Sequence, residues 1–166
     1  ASRTRVAEAA EGFAPGRGSR LAELRAKYGD RFRRNLASGV TDRQAAFATV
    51  KATRRHVQKL MRRDPIAKEM LKAGDYDLYG TYFHNRVFKR LRAAKIPGLD
   101  VNRAFVRPGG QFGVRGEYRI PDLTYMRGAP NMEFWDLKPR NFNWNQQFQD
   151  LYDWTGVRPI SLGYNR

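Results

Sequence analysis

The chain has no cysteine in 166 residues, which excludes disulfides, thiolate-bound metals, zinc fingers and a cysteine nucleophile. No apolar run approaches the roughly 20 residues that span a bilayer, so membrane integration is not expected. The opening stretch, ASRTRVAEAAEGFAPGRGSR, holds neither a hydrophobic signal-peptide core nor an initiating methionine, and reads as the cut end of a longer polypeptide. Negative charge is also scarce. Against 32 Lys and Arg stand 16 Asp and Glu, a formal net charge of +16. Polyanions are the expected partners, and nucleic acid comes first because the basic residues are spread along the chain instead of lining one amphipathic helix. A solvated surface is the plainer alternative. What is present is globular in composition, 41% hydrophobic and 13% aromatic, enough for one domain with a helical extension.

Residues 1–19 read as a linker or arm, broken at Pro15-Gly16. Residues 20–38 place Leu21, Leu24, Tyr28, Phe32 and Leu36 on one helical stripe, with Gly29 offering a break. Gly39-Val40-Thr41-Asp42 combines a helix stop with a cap, and predicts a helix over 42–63 with Ala45, Phe47, Val50, Val57, Leu60 and Met61 inward. Lys51, Arg54, Arg55, Lys59, Arg62 and Arg63 form a basic stripe on its flank, suited to following a phosphate backbone or to keeping the face hydrated. His56 there reads as a surface or packing residue. Asp64-Pro65 starts a short helix ending near Ala73.

From Leu78 to Ala94 the stripe Tyr79, Phe83, Val87 and Leu91, with Tyr82 and Phe88 beside it, predicts a helix that packs on a sheet. Residues 99–117 hold a short strand around Val101, Phe105 and Val106, then a glycine-rich loop without the lysine and hydroxyl pattern of a P-loop. Arg115 in this loop, and Arg140 further on, are candidate backbone contacts. Trp144, Phe148, Leu151 and Tyr152 predict a helix over 144–154, and Val157 to Tyr164 a closing strand.

The stretch that organises these elements is Tyr118 to Arg140, YRIPDLTYMRGAPNMEFWDLKPR. Two strands, 118–125 and 132–138, flank the turn formers of Arg127 to Asn131, which predicts a hairpin. Side chains alternate across a strand, so Asp136 and Lys138 share one face while Trp135 and Leu137 share the other. With Asp122 in register beside Asp136, two carboxylates meet, an unfavourable pairing unless a cation bridges them or one takes up a proton. Mg²⁺ (or Mn²⁺) suits oxygen ligands of this kind. The alternative is an exposed hairpin with Asp136 and Lys138 as a solvated pair.

Pro121-Asp122 followed by Asp136-Leu137-Lys138 resembles the PD-(D/E)xK motif of restriction-endonuclease-like nucleases. The resemblance covers roughly residues 75–166 and implies an α/β (α+β) core, a small mixed sheet with flanking helices, here preceded by a helical region over 20–74. It implies that Asp122 and Asp136 bind the metal and that Lys138 assists the attacking water and stabilises charge at the phosphate. The family often follows its lysine strand with a helix bearing a glutamine. Gln147 is taken for that role, although helix phase does not separate it from Gln146. Many relatives add a glutamate from the helix before the first strand. Here that neighbourhood reads Gly80-Thr81-Tyr82-Phe83-His84-Asn85, so His84 or Asn85 takes the place or the site does without it. Glu117 is a supplementary candidate.

The expected function is a metal-dependent endonuclease acting on DNA, with RNA, tRNA in particular, as the alternative substrate. A non-catalytic nucleic-acid-binding module is the reading from another class. In style the chain also resembles the C-terminal toxin domains of bacterial polymorphic toxins. That implies delivery by a secretion system, action in the cytoplasm of a target cell, and an acidic immunity protein as partner.

Overall fold

The computed structural model describes residues 41–140 and 142–165, together with Gly29 and Phe32. The arm expected over 1–19 and most of the helix expected over 20–38 lie outside the described residues; Gly29 and Phe32 are helical and buried. The chain forms two compact units, one ending at Pro97 and the other running from Gly98 to Asn165. The protein is thus mixed α/β, with four helices and a small mixed sheet among the described residues. None of those helices is long and apolar enough to cross a membrane.

The first unit contains α1 (Asp42–Arg63), α2 (Pro65–Lys72) and α3 (Tyr76–Ala94), which pack on one another. The cap of α1 is Thr41. Its hydroxyl accepts the Gln44 N–H at 3.2 Å while Gln44 Oε1 accepts the Thr41 N–H at 3.0 Å, a reciprocal capping box. Ala45, Val50, Val57 and Met61 are buried as expected, whereas Phe47 is only half-buried, its ring covered by Arg43 and Lys51. On α3, Tyr79, Phe83, Val87, Phe88 and Leu91 are buried. This helix lies in one unit with α1 and α2, and the unit carrying the hairpin runs from Gly98 to Asn165.

Asp64 joins the three helices. Its Oδ1 accepts the Ile66 N–H at 2.8 Å to cap α2, and its Oδ2 accepts the Tyr82 hydroxyl at 2.5 Å and Arg86 Nη1 at 2.8 Å from α3. The Tyr82 hydroxyl, ahead of the backbone amides and Arg86, holds its carboxyl below the usual range against the opposing effect of burial. Asp64→Ala is expected to cost about 2–4 kcal/mol in urea unfolding at pH 7. Because this pKa is depressed on folding, the contribution is present at neutral pH and fades as pH falls through the folded value.

The second unit contains β1 (Leu99–Val101), β2 (Phe105–Val106), β3 (Tyr118–Arg119), β4 (Leu123–Tyr125), β5 (Glu133–Pro139), α4 (Gln146–Thr155) and β6 (Ile160–Tyr164). Four strands form a sheet in the order β1-β4-β5-β6, and β2 pairs with β3 apart from it. β1, β4 and β5 are antiparallel neighbours; β6 lies parallel to β5, and α4 makes the crossover between them.

The strand expected over 118–125 is two strands belonging to two sheets, because Pro121 has no N–H to donate to a ladder. Ile120, beside the break, is 44% exposed and not a core residue. The helix expected over 144–154 starts at Gln146, where Asn145 Oδ1 accepts the Phe148 N–H at 2.9 Å. Trp144 therefore precedes the helix, and Trp144 and Tyr152 are exposed while Phe148 and Leu151 are buried. The closing strand starts at Ile160, later than expected.

Candidate active site

The hairpin register settles where the two acids lie. Leu123 pairs with Trp135 and Thr124 with Phe134, so Asp122, one step earlier, faces Asp136, one step later. The two strands part here, after Pro121, and the carboxylates replace the missing rungs. The Asp122 N–H donates to Asp136 Oδ1 at 2.8 Å, and the Leu137 N–H donates to Asp122 Oδ2 at 2.7 Å. Each acid is thus held by the main chain of the opposite strand. The Asp122 carbonyl accepts the Asn102 N–H at 2.6 Å, which ties the same point to the end of β1.

Lys138 and Gln147 complete the group around Asp136 Oδ2. Lys138 Nζ is 3.4 Å away, on the face predicted by strand alternation, with its ammonium over the Phe142 and Phe148 rings at 5.1 and 5.8 Å. Gln147, in the first turn of α4, donates from Nε2 at 3.2 Å. Helix phase alone left two glutamines open. Gln146 instead donates to Asp150 Oδ1 at 2.7 Å, and Asp150 Oδ2 accepts Arg119 Nε at 2.7 Å, so α4 is anchored to β3.

The pair is not a solvated surface feature. Asp122 is 8% exposed and Asp136 1%. Burial pushes the Asp122 carboxyl up to about 6, with the Leu137 N–H and Lys138 opposing. Burial, and then the charge of Asp122, push Asp136 up to about 6, with Lys138 and the Asp122 N–H opposing. These shifts have a stability consequence. A carboxyl whose pKa rises on folding holds its proton more tightly in the native state, so its contribution is greatest below pH 4 and is lost as pH climbs to about 6. Asp122→Asn cannot ionise and keeps an oxygen for the Leu137 N–H. It should raise metal-free stability at pH 8 by on the order of 1–2 kcal/mol, and the gain should vanish near pH 4. Melting curves of both proteins across that range check this; a variant less stable than wild type at pH 8 contradicts it.

The donors here are hard oxygens. Among the described residues no three His, Cys, Asp or Glu side chains form a metal-holding group. A cation held by Asp122 and Asp136 would therefore fill its shell with water and substrate oxygens, the habit of Mg²⁺. Glu117 does not join the pair: it accepts from Arg107 Nη2 at 2.8 Å and from the Gln111 N–H at 2.9 Å. His84 lies on α3 in the helical unit, its ring centroid 6.1 Å from that of Phe83 and 5.8 Å from that of Phe88. Lys51, Arg54, Arg55, Lys59 and Arg62 also belong to that unit, on α1. Arg55, Lys59 and Arg62 are exposed, and Lys51 and Arg54 half-buried. Arg140 is exposed at the end of β5.

A groove of about 360 Å³ adjoins Gln147, bordered by Arg115, Tyr118 and Arg119. Arg115 is among the backbone contacts expected from the sequence. Tyr118 and Arg119 are not, although aromatic and basic residues interleave within this glycine-rich segment. No protein-family model, curated protein or solved structure matches the chain.

Proposed function

We propose that the protein is a metal-dependent endonuclease that hydrolyses phosphodiester bonds, with a restriction-endonuclease-like core and DNA as its substrate. The observation that carries this reading is the meeting of an ammonium and a carboxamide on the buried Asp136 Oδ2, shared by Lys138 and Gln147, with the buried Asp122 opposite Asp136 across the hairpin. Asp122 and Asp136 would hold Mg²⁺ or Mn²⁺. Bound there, such an ion lowers the pKa of water and neutralises phosphate charge. Lys138 is held by Asp136 at the mouth of this pair and supplies positive charge where the phosphate becomes most negative. Gln147 fixes the Asp136 carboxylate from the side and can orient a water or a substrate oxygen. Arg115 and Arg119 border the adjoining groove and suit an anionic chain.

The net charge of +16 supports the wider reading, a toxin domain delivered to a target cell and neutralised by an acidic immunity protein. Supercoiled plasmid and total RNA, each incubated with Mg²⁺ or with EDTA, test the enzyme. Cleavage of plasmid only with the divalent ion is the expected result. Cleavage of RNA alone moves the substrate to RNA, and retention of nucleic acid with no cleavage under any divalent ion leaves a binding module.

A further inference from the structure

β2 and β3 form a hairpin whose loop, residues 107–117, is ordered by its own contacts. Glu117 clasps the base through Arg107 Nη2 and the Gln111 N–H, while the Arg107 carbonyl accepts the Gly110 N–H at 2.9 Å. A Cβ at Gly110 would come within 2.7 Å of Arg107 Cγ, so the clasp needs glycine there. What this braced loop holds out is apolar: Phe112 is 70% exposed and Val114 43%. Phe112 lies 5.2 Å, centroid to centroid, from Tyr118, which borders the groove beside Gln147. Tyr118, two arginines and the carboxylate-holding glutamine therefore line a single cleft, with the Phe112 ring beside Tyr118.

We infer that this cleft takes an unpaired nucleotide, its base stacked on the Phe112–Tyr118 pair and its phosphates against Arg115 and Arg119. The inference rests on the nuclease reading for its direction toward Asp136, and narrows the substrate of that site to single-stranded or locally unpaired nucleic acid. A base inside a duplex has both faces covered by neighbours, whereas an unpaired one can stack on a side chain. A cleft made only for duplex backbone would have no use for an exposed phenylalanine.

Fluorescence anisotropy of the whole chain in EDTA reads binding without cleavage. The probes are labelled oligonucleotides of one sequence as single-stranded DNA, single-stranded RNA and duplex DNA. Single strands should bind more tightly than the duplex. Phe112→Ala should weaken single-strand binding about tenfold or more, duplex binding less than about twofold, and Phe112→Trp should restore it. Arg115→Ala should weaken all probes and flatten their salt dependence. Which single strand binds better tells DNA from RNA. Equal losses for single strand and duplex, no loss in Phe112→Ala, or a duplex preference would overturn the inference. The two readings fail separately. Selective binding without metal-dependent cleavage removes the nuclease and leaves the cleft; cleavage with no effect of Phe112→Ala on single-strand binding does the reverse.

Discussion

Asp136→Asn is expected to slow phosphodiester cleavage by about a thousandfold or more and leave the protein folded. The asparagine keeps an oxygen for the Asp122 N–H, which Asp136 Oδ1 accepts at 2.8 Å, so the parting of β4 and β5 stays closed. It removes the charge a hard cation requires and takes away the ion-pair partner 3.4 Å from Lys138. At a site only 1% exposed, it also ends the cost of keeping two like charges out of water. The metal-free melting midpoint at pH 8 should therefore not fall. Plasmid nicking and melting on one preparation check both halves, and cleavage within tenfold of wild type would take Asp136 out of the chemistry.

The second large effect is expected at Lys138. Lys138→Met keeps a long apolar side chain but removes the ammonium that lies over Phe142 and Phe148, and should lower the turnover rate by about 10²–10³-fold. Lys138 opposes the upward shift of both acids. Without it, Asp122 and Asp136 hold their protons to higher pH, so the acid limb of the residual pH–rate profile should move upward. A residue that merely packed on the aromatic rings would leave that limb in place. An unchanged limb together with a rate near wild type would assign Lys138 a packing role only.

The local part of this architecture was legible in the sequence because it rests on short-range rules. The span of α1, the face of α3 and the shared face of Asp136 and Lys138 follow from helical spacing, capping and strand alternation. The sequence offered the meeting of Asp122 with Asp136 only as a condition on the hairpin register, and the pairing of Leu123 with Trp135 meets it. Pro121 was visible too, but its consequence was not: a missing N–H can mark an edge, a bulge or a break, and only the pairing of Tyr118–Arg119 with β2 decides for a break. The choice of Gln147 over Gln146 depended on the N-cap at Asn145, which sets helix phase. The cleft was hidden because Tyr118, Arg119 and Gln147 are brought together by contacts between elements, which no spacing encodes.

The parallel pairing of β5 with β6 also bears on when the site comes into being. Residues Trp135 to Pro139 take their partners from Ile160 to Tyr164, with Asp136 beside Ser161 and Lys138 beside Gly163. A nascent chain that has just translated its second aspartate and its lysine still lacks the strand that holds them. The constellation can close only after the ribosome has added α4 and β6.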